Sequence, residues 1–146
     1  MTIRTILVDD ESLAIQGLQL RLQAHEDVEI IETCTNGREA IRAIKTHKPD
    51  LVFLDIQMPG KTGFDLLSEL DRAPNVIFTT AYDEYALKAF EVNALDYLLK
   101  PVEPKRLADA IQKLHQQEER EQLGNGSGVI NVNRSILTEN DQVFVK

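Results

Sequence analysis

The stretch Leu51-Val52-Phe53-Leu54-Asp55 decides the fold, because four consecutive apolar residues end abruptly at a carboxylate. A run this short and this apolar is typical of a strand buried on both faces, as in a parallel sheet. Similar runs occur at four other places, residues 6–8, 28–31, 76–78 and 97–99. The sequence therefore predicts five strands in one parallel sheet.

Between these runs the apolar residues recur with the spacing of helices. Asn36 with Glu39 three positions later predicts a capping box at the start of the second helix, and Pro104 suits the first turn of the fifth. The predicted apolar stripes are Ala14, Leu18 and Leu22; Ile41 and Ile44; Phe64, Leu67 and Leu70; Leu87 and Phe90; and Leu107, Ile111 and Leu114. Strict alternation of strands and helices predicts a doubly wound α/β domain with helices on both faces of the sheet and right-handed crossovers.

Polar residues follow four of the predicted strands at the point where each strand ends. They are Asp9-Asp10-Glu11 after the first strand, Asp55 after the third, Thr79-Thr80 at the end of the fourth and Lys100-Pro101 after the fifth. Each of these alone is more often a cap, a turn or a plain surface residue. In a parallel sheet all four ends lie at one edge, where doubly wound folds bind their ligands. Their joint occurrence therefore favours a binding site.

The charges of this predicted site indicate a metal ion. Two carboxylates about 5 Å apart repel each other by roughly 3 kcal/mol at an effective dielectric constant of 20. Lys100 alone cannot offset the repulsion among Asp9, Asp10 and Asp55. Oxygen ligands select a hard divalent cation such as Mg2+. Positioning and charge neutralisation supply most of the catalysis in phosphoryl transfer, so such a pocket suits that reaction.

Composition narrows the classes of function. The net charge of −8 argues against nucleic-acid binding by this segment, since contacts to phosphates need clustered Lys and Arg. Cys34 is the only cysteine, which excludes an internal disulfide. No apolar run is long enough to cross a bilayer and the N-terminus lacks the features of a signal peptide, so we expect a cytoplasmic protein without a membrane contact.

Residues 1–121 resemble the receiver domain of two-component response regulators. The motifs that carry the resemblance are Leu7-Val8-Asp9-Asp10-Glu11, Asp55-Ile56-Gln57-Met58-Pro59-Gly60 with Gly63, Thr80-Ala81, and Asp96-Tyr97-Leu98-Leu99-Lys100-Pro101. Their order and spacing span the whole domain. The resemblance implies the flavodoxin-like strand order 2-1-3-4-5.

The resemblance also implies a role for individual site residues. Asp55 would be the phosphoacceptor. Asp10 would bind Mg2+ directly, Asp9 mainly through water, and Gln57 through its backbone carbonyl, with Asp55 completing the set of ligands. Thr80 would donate a hydrogen bond from its hydroxyl to a phosphoryl oxygen, and Lys100 would form an ion pair with the phosphoryl group. Thr80 and Tyr97 would form the switch, in which Tyr97 turns inward when Thr80 moves.

Residues 78–90 resemble receivers joined to a LytTR-type DNA-binding domain, as in LytR and AlgR response regulators. Residues 122–128 contain three glycines and are expected to be a flexible linker. Short apolar runs in residues 129–146 resemble strands, and we expect them to be the truncated start of a second, LytTR-type domain. DNA would be bound only through the missing part of that domain.

The family implies the partners and the type of activity. A sensor histidine kinase would supply the phosphoryl group, and phosphorylation would promote a homodimer through the helix 4–strand 5–helix 5 surface. The chain would then control transcription as a regulatory phosphoacceptor. It would not be an enzyme beyond catalysing its own phosphoryl transfer and dephosphorylation.

Other kinds of protein fit the residues less well. A phosphatase of the haloacid-dehalogenase type needs a second aspartate at the position of Gln57. A flavodoxin-like redox protein needs a Ser/Thr-rich loop after the first strand, where this chain is acidic, and no Walker loop is present. A pseudo-receiver that serves only as a protein-binding module stays an alternative, although such modules usually lack part of the acidic pocket.

Overall fold

Strand β3 (Leu51–Asp55) lies at the centre of a five-stranded sheet, and all five of its residues are buried, as its apolar sequence predicts. The computed structural model describes residues 2–127. The other strands are β1 (Ile3–Val8), β2 (Val28–Cys34), β4 (Asn75–Thr80) and β5 (Asp96–Leu99). All neighbouring strands are parallel and their order is β2-β1-β3-β4-β5. The predicted doubly wound fold and strand order are confirmed.

Within residues 2–127, five α-helices connect and follow the strands: α1 (Ser12–Leu22), α2 (Gly37–His47), α3 (Gly63–Ser68), α4 (Ala86–Glu91) and α5 (Pro104–Ser127). Alternate strand residues such as Val8, Val52 and Phe78 share one buried cluster with residues of α2, α3 and α4. On the other face, α1 buries Ile15, Leu18 and Leu22, and the start of α5 buries Leu107 and Ala110. The sheet is therefore covered by helices on both sides.

The start of α2 differs in detail from the predicted capping box, and a further box is found at α3. The Asn36 side chain accepts a hydrogen bond from the Glu39 backbone N–H (2.9 Å), as predicted. The Glu39 carboxylate, however, accepts from the backbone of Thr35, one residue before the cap, so the reciprocal half of the box is shifted. A complete capping box is formed instead at α3, between Thr62 and Asp65. It stabilises the start of the helix that follows the Asp55 loop.

The predicted apolar stripe of the fourth helix is wrong. Leu87 and Phe90 are 70% and 79% exposed, whereas Ala89 is the buried residue of α4. Residues 83–85, directly before α4, form a separate single-turn 3-10 helix, Asp83–Tyr85. Apolar spacing shows that a helix has one hydrophobic side, but it does not show which side faces the core. In α4 the larger apolar side chains point to solvent.

The chain divides into two units, Met1–Ile111 and Gln112–Lys146, and the sheet lies entirely in the first. Helix α5 continues to Ser127, so it includes residues 122–127, for which the sequence predicts a linker. Their role as a connection between two domains stays a prediction. The predicted second-domain residues 129–146 lie outside the described residues. In the described part of the chain, no helix is long and apolar enough to cross a membrane.

Candidate functional site

Three carboxylates meet at the C-terminal edge of the sheet. Asp9 and Asp10 follow β1, and Asp55 is the last residue of the neighbouring strand β3. One carboxylate oxygen from each lies within 4.8 Å of the others. Asp9 and Asp55 are buried, whereas Asp10 is exposed. The strand ends thus bring together the three carboxylates that the sequence predicted to be close.

Lys100 provides the positive charge nearest to these carboxylates. Its ammonium nitrogen lies 2.7 Å from Asp9 Oδ2, 3.5 Å from Asp55 Oδ1 and 3.8 Å from Glu11 Oε1. Burial lowers the pKa of Lys100, but the hydrogen bond to Asp9 and the charges of the carboxylates raise it above its ordinary value. Lys100 therefore stays protonated and pairs with the site.

One ammonium group does not balance the negative charge of the site. Burial and the charge of Asp9 raise the pKa of Asp55 to about 7, although Lys100 and the backbone N–H of Gln57 lower it in part. The site therefore has a net negative charge when its carboxylates are ionised, even with Lys100 protonated. Clustered carboxylate oxygens form the set of ligands that a hard divalent cation prefers. Asp9, Asp10 and Asp55 thus fit an Mg2+ ion.

The loop after Asp55 is held by backbone hydrogen bonds to the neighbouring strand and helix. The N–H of Ile56 donates to the carbonyl of Thr79 (3.1 Å), and the N–H of Gly63 donates to the carbonyl of Ile56 (2.8 Å). A Cβ atom at Gly63 would lie 2.8 Å from the backbone oxygen of Asp55. Only glycine permits this approach, and it sets the path of the chain around Asp55.

Gln57 lies two residues after Asp55. Its backbone N–H donates to Asp55 Oδ1 at 3.4 Å, which places its backbone beside the site. Its role as a carbonyl ligand of the metal stays a prediction. The Gln57 side chain points elsewhere, since its amide nitrogen donates to the hydroxyl of Tyr85 (2.9 Å).

Thr80 ends β4 and is almost completely buried, with 1% of its surface exposed. Its hydroxyl oxygen accepts a hydrogen bond from the backbone N–H of Tyr82 at 3.2 Å, and its carbonyl accepts from the N–H of Lys100 at 2.7 Å. The structure thus places Thr80 directly beside the backbone of Lys100. The predicted contact of its hydroxyl with a phosphoryl group stays a prediction.

Tyr97 lies on β5 and packs against the buried cluster below α4. Its hydroxyl donates a hydrogen bond to the backbone carbonyl of Tyr82, in the loop that follows Thr80. The two predicted switch residues are therefore connected through Tyr82. Their role as a switch stays a prediction.

Sequence reasoning missed two residues near the site. Glu11 belongs to the acidic motif, but the sequence does not predict its contact with Lys100; the three consecutive acidic residues are the available signal. No sequence pattern indicates the hydrogen bond between Tyr85 and Gln57, which is 28 positions away.

The receiver family and individual relatives match this chain. The response regulator receiver domain matches residues 5–112. The transcriptional regulatory protein BtsR of Salmonella typhi is 43% identical over 144 residues, which are 97% of this chain and 56% of BtsR. The chain thus spans about half the length of the curated relatives it matches.

Two crystal structures show the same fold. The response regulatory domain of mrkE from Klebsiella pneumoniae is 35% identical with a TM-score of 0.72, covering 81% of this chain and 99% of that one. A chain of the CheX–CheY–BeF3–Mg2+ complex from Borrelia burgdorferi is 26% identical with a TM-score of 0.70, covering 77% and 89%. With the acidic site at the sheet edge and the match over most of the domain, the chain belongs to the response regulator receiver family.

Proposed function

We propose that this chain is an active receiver in which Asp55 accepts a phosphoryl group from a phosphohistidine of a sensor histidine kinase. The observation that carries the proposal is the buried carboxylate of Asp55, which lies beside Asp9 and Asp10 and 3.5 Å from the Lys100 ammonium. Response regulators as a family interact with histidine kinases. The chain then acts as a regulatory protein that catalyses only its own phosphorylation and dephosphorylation.

In the proposed reaction an oxygen of Asp55 attacks phosphorus while the phosphorus–nitrogen bond of the donor histidine breaks. The carboxylates of Asp10 and Asp55 and the backbone carbonyl of Gln57 would hold Mg2+ directly, and Asp9 would act mainly through water. When bound, Mg2+ neutralises negative charge on the carboxylates and on the incoming phosphoryl oxygens. The CheX–CheY–BeF3–Mg2+ complex, one chain of which has the same fold, supports a magnesium ion at such a site.

Lys100 and Thr80 stabilise the transferred group. The Lys100 ammonium, already held against the site by Asp9, pairs with a phosphoryl oxygen. The Thr80 hydroxyl donates to another phosphoryl oxygen, for which it gives up its present hydrogen bond with the Tyr82 backbone. Because the Tyr82 carbonyl also accepts from Tyr97, movement of Thr80 reaches Tyr97 through this loop.

The output is a change in self-association. We propose that phosphorylation promotes a homodimer through the helix 4–strand 5–helix 5 surface. Leu87, Phe90 and Leu99 on α4 and β5 are exposed apolar side chains there, and such a patch favours a protein interface. The family dimerises, and an isologous dimer brings two attached domains together.

The attached domain is proposed to be a LytTR-type DNA-binding domain that controls transcription. The resemblance of residues 78–90 to LytTR-type receivers supports this. A further support is BtsR, which is named a transcriptional regulatory protein and extends well beyond the region matched here.

Intact-mass spectrometry after incubation with acetyl phosphate tests the acceptor. We expect one added phosphoryl group that requires both Mg2+ and Asp55. The Asp55→Asn variant serves as the matched control, since it keeps the shape of the side chain and removes the charge. Full labelling of that variant would contradict the assignment of Asp55. No labelling of the parent chain, with Mg2+ binding demonstrated, would favour the pseudo-receiver.

A further inference from the structure

Tyr85 joins the loop after the acceptor to the 3-10 helix Asp83–Tyr85 that precedes α4. Its hydroxyl accepts a hydrogen bond from the side-chain amide of Gln57 at 2.9 Å. The backbone N–H of the same Gln57 points at Asp55 Oδ1. A single residue therefore contacts the acceptor with its backbone and Tyr85 with its side chain.

The ring of Tyr85 is held from two sides, so the position of its hydroxyl is well defined. Its centroid lies 6.1 Å from that of Phe64 and 6.5 Å from that of Tyr82, the second in an edge-on arrangement with an interplanar angle of 86°. Such tilted and edge-on contacts are favourable geometries for aromatic pairs. The hydroxyl thus provides a fixed acceptor for the Gln57 amide.

The same turn also contacts Tyr97. The Tyr82 carbonyl accepts a hydrogen bond from the Tyr97 hydroxyl. Burial raises the pKa of that hydroxyl, and a hydrogen bond with the Tyr85 backbone lowers it in part. Residues 82–85 therefore hold Gln57 on one side and Tyr97 on the other.

We infer that Tyr85 is a positioning residue that restrains the Gln57 amide and thereby sets the lifetime of the phosphoryl group on Asp55. The inference rests on the proposed function. In hydrolysis the oxygen of a water molecule attacks phosphorus, the bond between phosphorus and the Asp55 oxygen breaks, and carboxylate and inorganic phosphate form with release of the water's proton.

A glutamine side chain near a phosphoryl group can orient the attacking water. In this chain, one N–H of the Gln57 amide donates to the Tyr85 hydroxyl, which restricts the orientations in which the rest of the amide can meet a water molecule. The hydrogen bond therefore slows hydrolysis.

The decay of the phosphorylated chain tests the inference. The chain is labelled with acetyl phosphate and Mg2+, the donor is removed by desalting, and the labelled fraction is followed by intact mass. Tyr85→Phe keeps the ring and removes the hydroxyl, and we expect decay about two- to tenfold faster, the equivalent of one lost hydrogen bond. The matched control is Tyr82→Phe, whose hydroxyl has no hydrogen bond to another described residue; it should decay at the parent rate.

A double-mutant cycle separates a positioning role from a structural one. Gln57→Leu removes the amide, so adding Tyr85→Phe to it should change the decay rate no further. Independent, multiplying effects of the two substitutions would overturn the inference even if Tyr85→Phe lowers the melting temperature. A parent-like decay of Tyr85→Phe would overturn it and leave the proposed function standing. A parent chain that takes up no phosphoryl group would overturn both.

Discussion

The ammonium nitrogen of Lys100 lies 2.7 Å from Oδ2 of Asp9, and this ion pair joins the end of β5 to the end of β1. The two strands are not neighbours, because β3 and β4 lie between them in the sheet. The side chains of Lys100 and Asp9 are only 22% and 8% exposed. Loss of one partner from such a buried pair leaves an uncompensated charge in a poorly solvated place.

Lys100→Met should therefore destabilise the fold in the absence of divalent cations. Breaking a buried pair costs up to about 3–5 kcal/mol, and we expect roughly 1–3 kcal/mol here because Lys100 is partly exposed. The loss should be larger at about pH 8 than at about pH 5, since Asp55, whose pKa is about 7, is protonated and uncharged at the lower pH. Urea unfolding at the two pH values measures it. Lys45→Met, at an exposed lysine of α2, is the control and should have little effect.

The raised pKa of Asp55 predicts a dependence of stability on pH. Its pKa is about 7 in the fold, against an ordinary value of 3.8, so the folded chain binds more protons than the unfolded chain between these values. The protonated carboxyl contributes to the free energy of unfolding. This contribution is fully present below the ordinary pKa of the group and is lost as the pH rises through about 7. Asp55→Asn removes this ionisation. Without divalent cations we expect the variant to be roughly 1–4 kcal/mol more stable than the parent at about pH 8 and similar at about pH 4.

Denaturant unfolding of both chains across this pH range is the measurement. A difference in unfolding free energy that stays constant from acid to alkaline pH would contradict the assigned cause, because a change in packing does not titrate.

Mg2+ should raise the melting temperature of the parent chain. A ligand at about 100 times its Kd stabilises the folded state by about 2.7 kcal/mol if it does not bind the unfolded chain. Asp10→Asn removes one of the three clustered carboxylates and should weaken the response. Glu11→Gln makes the same change of charge one residue further on, outside the cluster, and should keep most of the response. Equal loss in both variants would indicate a general effect of charge, with no specific site.

The exposed α4 residue Phe90 should be needed for association of the activated chain. Beryllofluoride with Mg2+ imitates the phosphorylated state, and we expect it to increase the mass of the parent chain in light scattering. Phe90→Glu should prevent this increase, because a carboxylate at an apolar interface loses its hydration. Leu20→Glu changes a residue of α1 that is also 66% exposed, and it should dimerise like the parent. If Leu20→Glu prevents the increase in mass and Phe90→Glu does not, the interface lies on α1.

Much of the fold and of the site could be predicted from particular residues. Residues 51–54 are all apolar because β3 is covered by helices on both faces of the sheet. The uninterrupted apolar run therefore predicts that this strand is buried. Asp9 and Asp55 are far apart in the chain, yet both follow parallel strands, and parallel strands end at the same edge. The order of the strands could be predicted only from the resemblance to receivers, since an apolar run does not show which other strands will lie beside it in the sheet.

Other features depended on contacts that no local pattern describes. Leu87 and Phe90 have the spacing of a buried stripe, but α4 turns Ala89 to the core instead. Tyr85 meets Gln57 because the 3-10 helix after β4 comes close to the loop after β3. Such contacts between loops arise from the path of the whole chain.

The sequence by itself determined the alternation of strands and helices, the parallel sheet and the residues at its edge, because burial and strand ends follow from the order of apolar and polar residues. Only the tertiary structure decided that Lys100 pairs with Asp9 across two strands, that Asp55 has a raised pKa and that Tyr85 holds Gln57. These properties depend on distances and solvent exclusion between parts of the chain distant in sequence, which exist only after the sheet and its loops have packed.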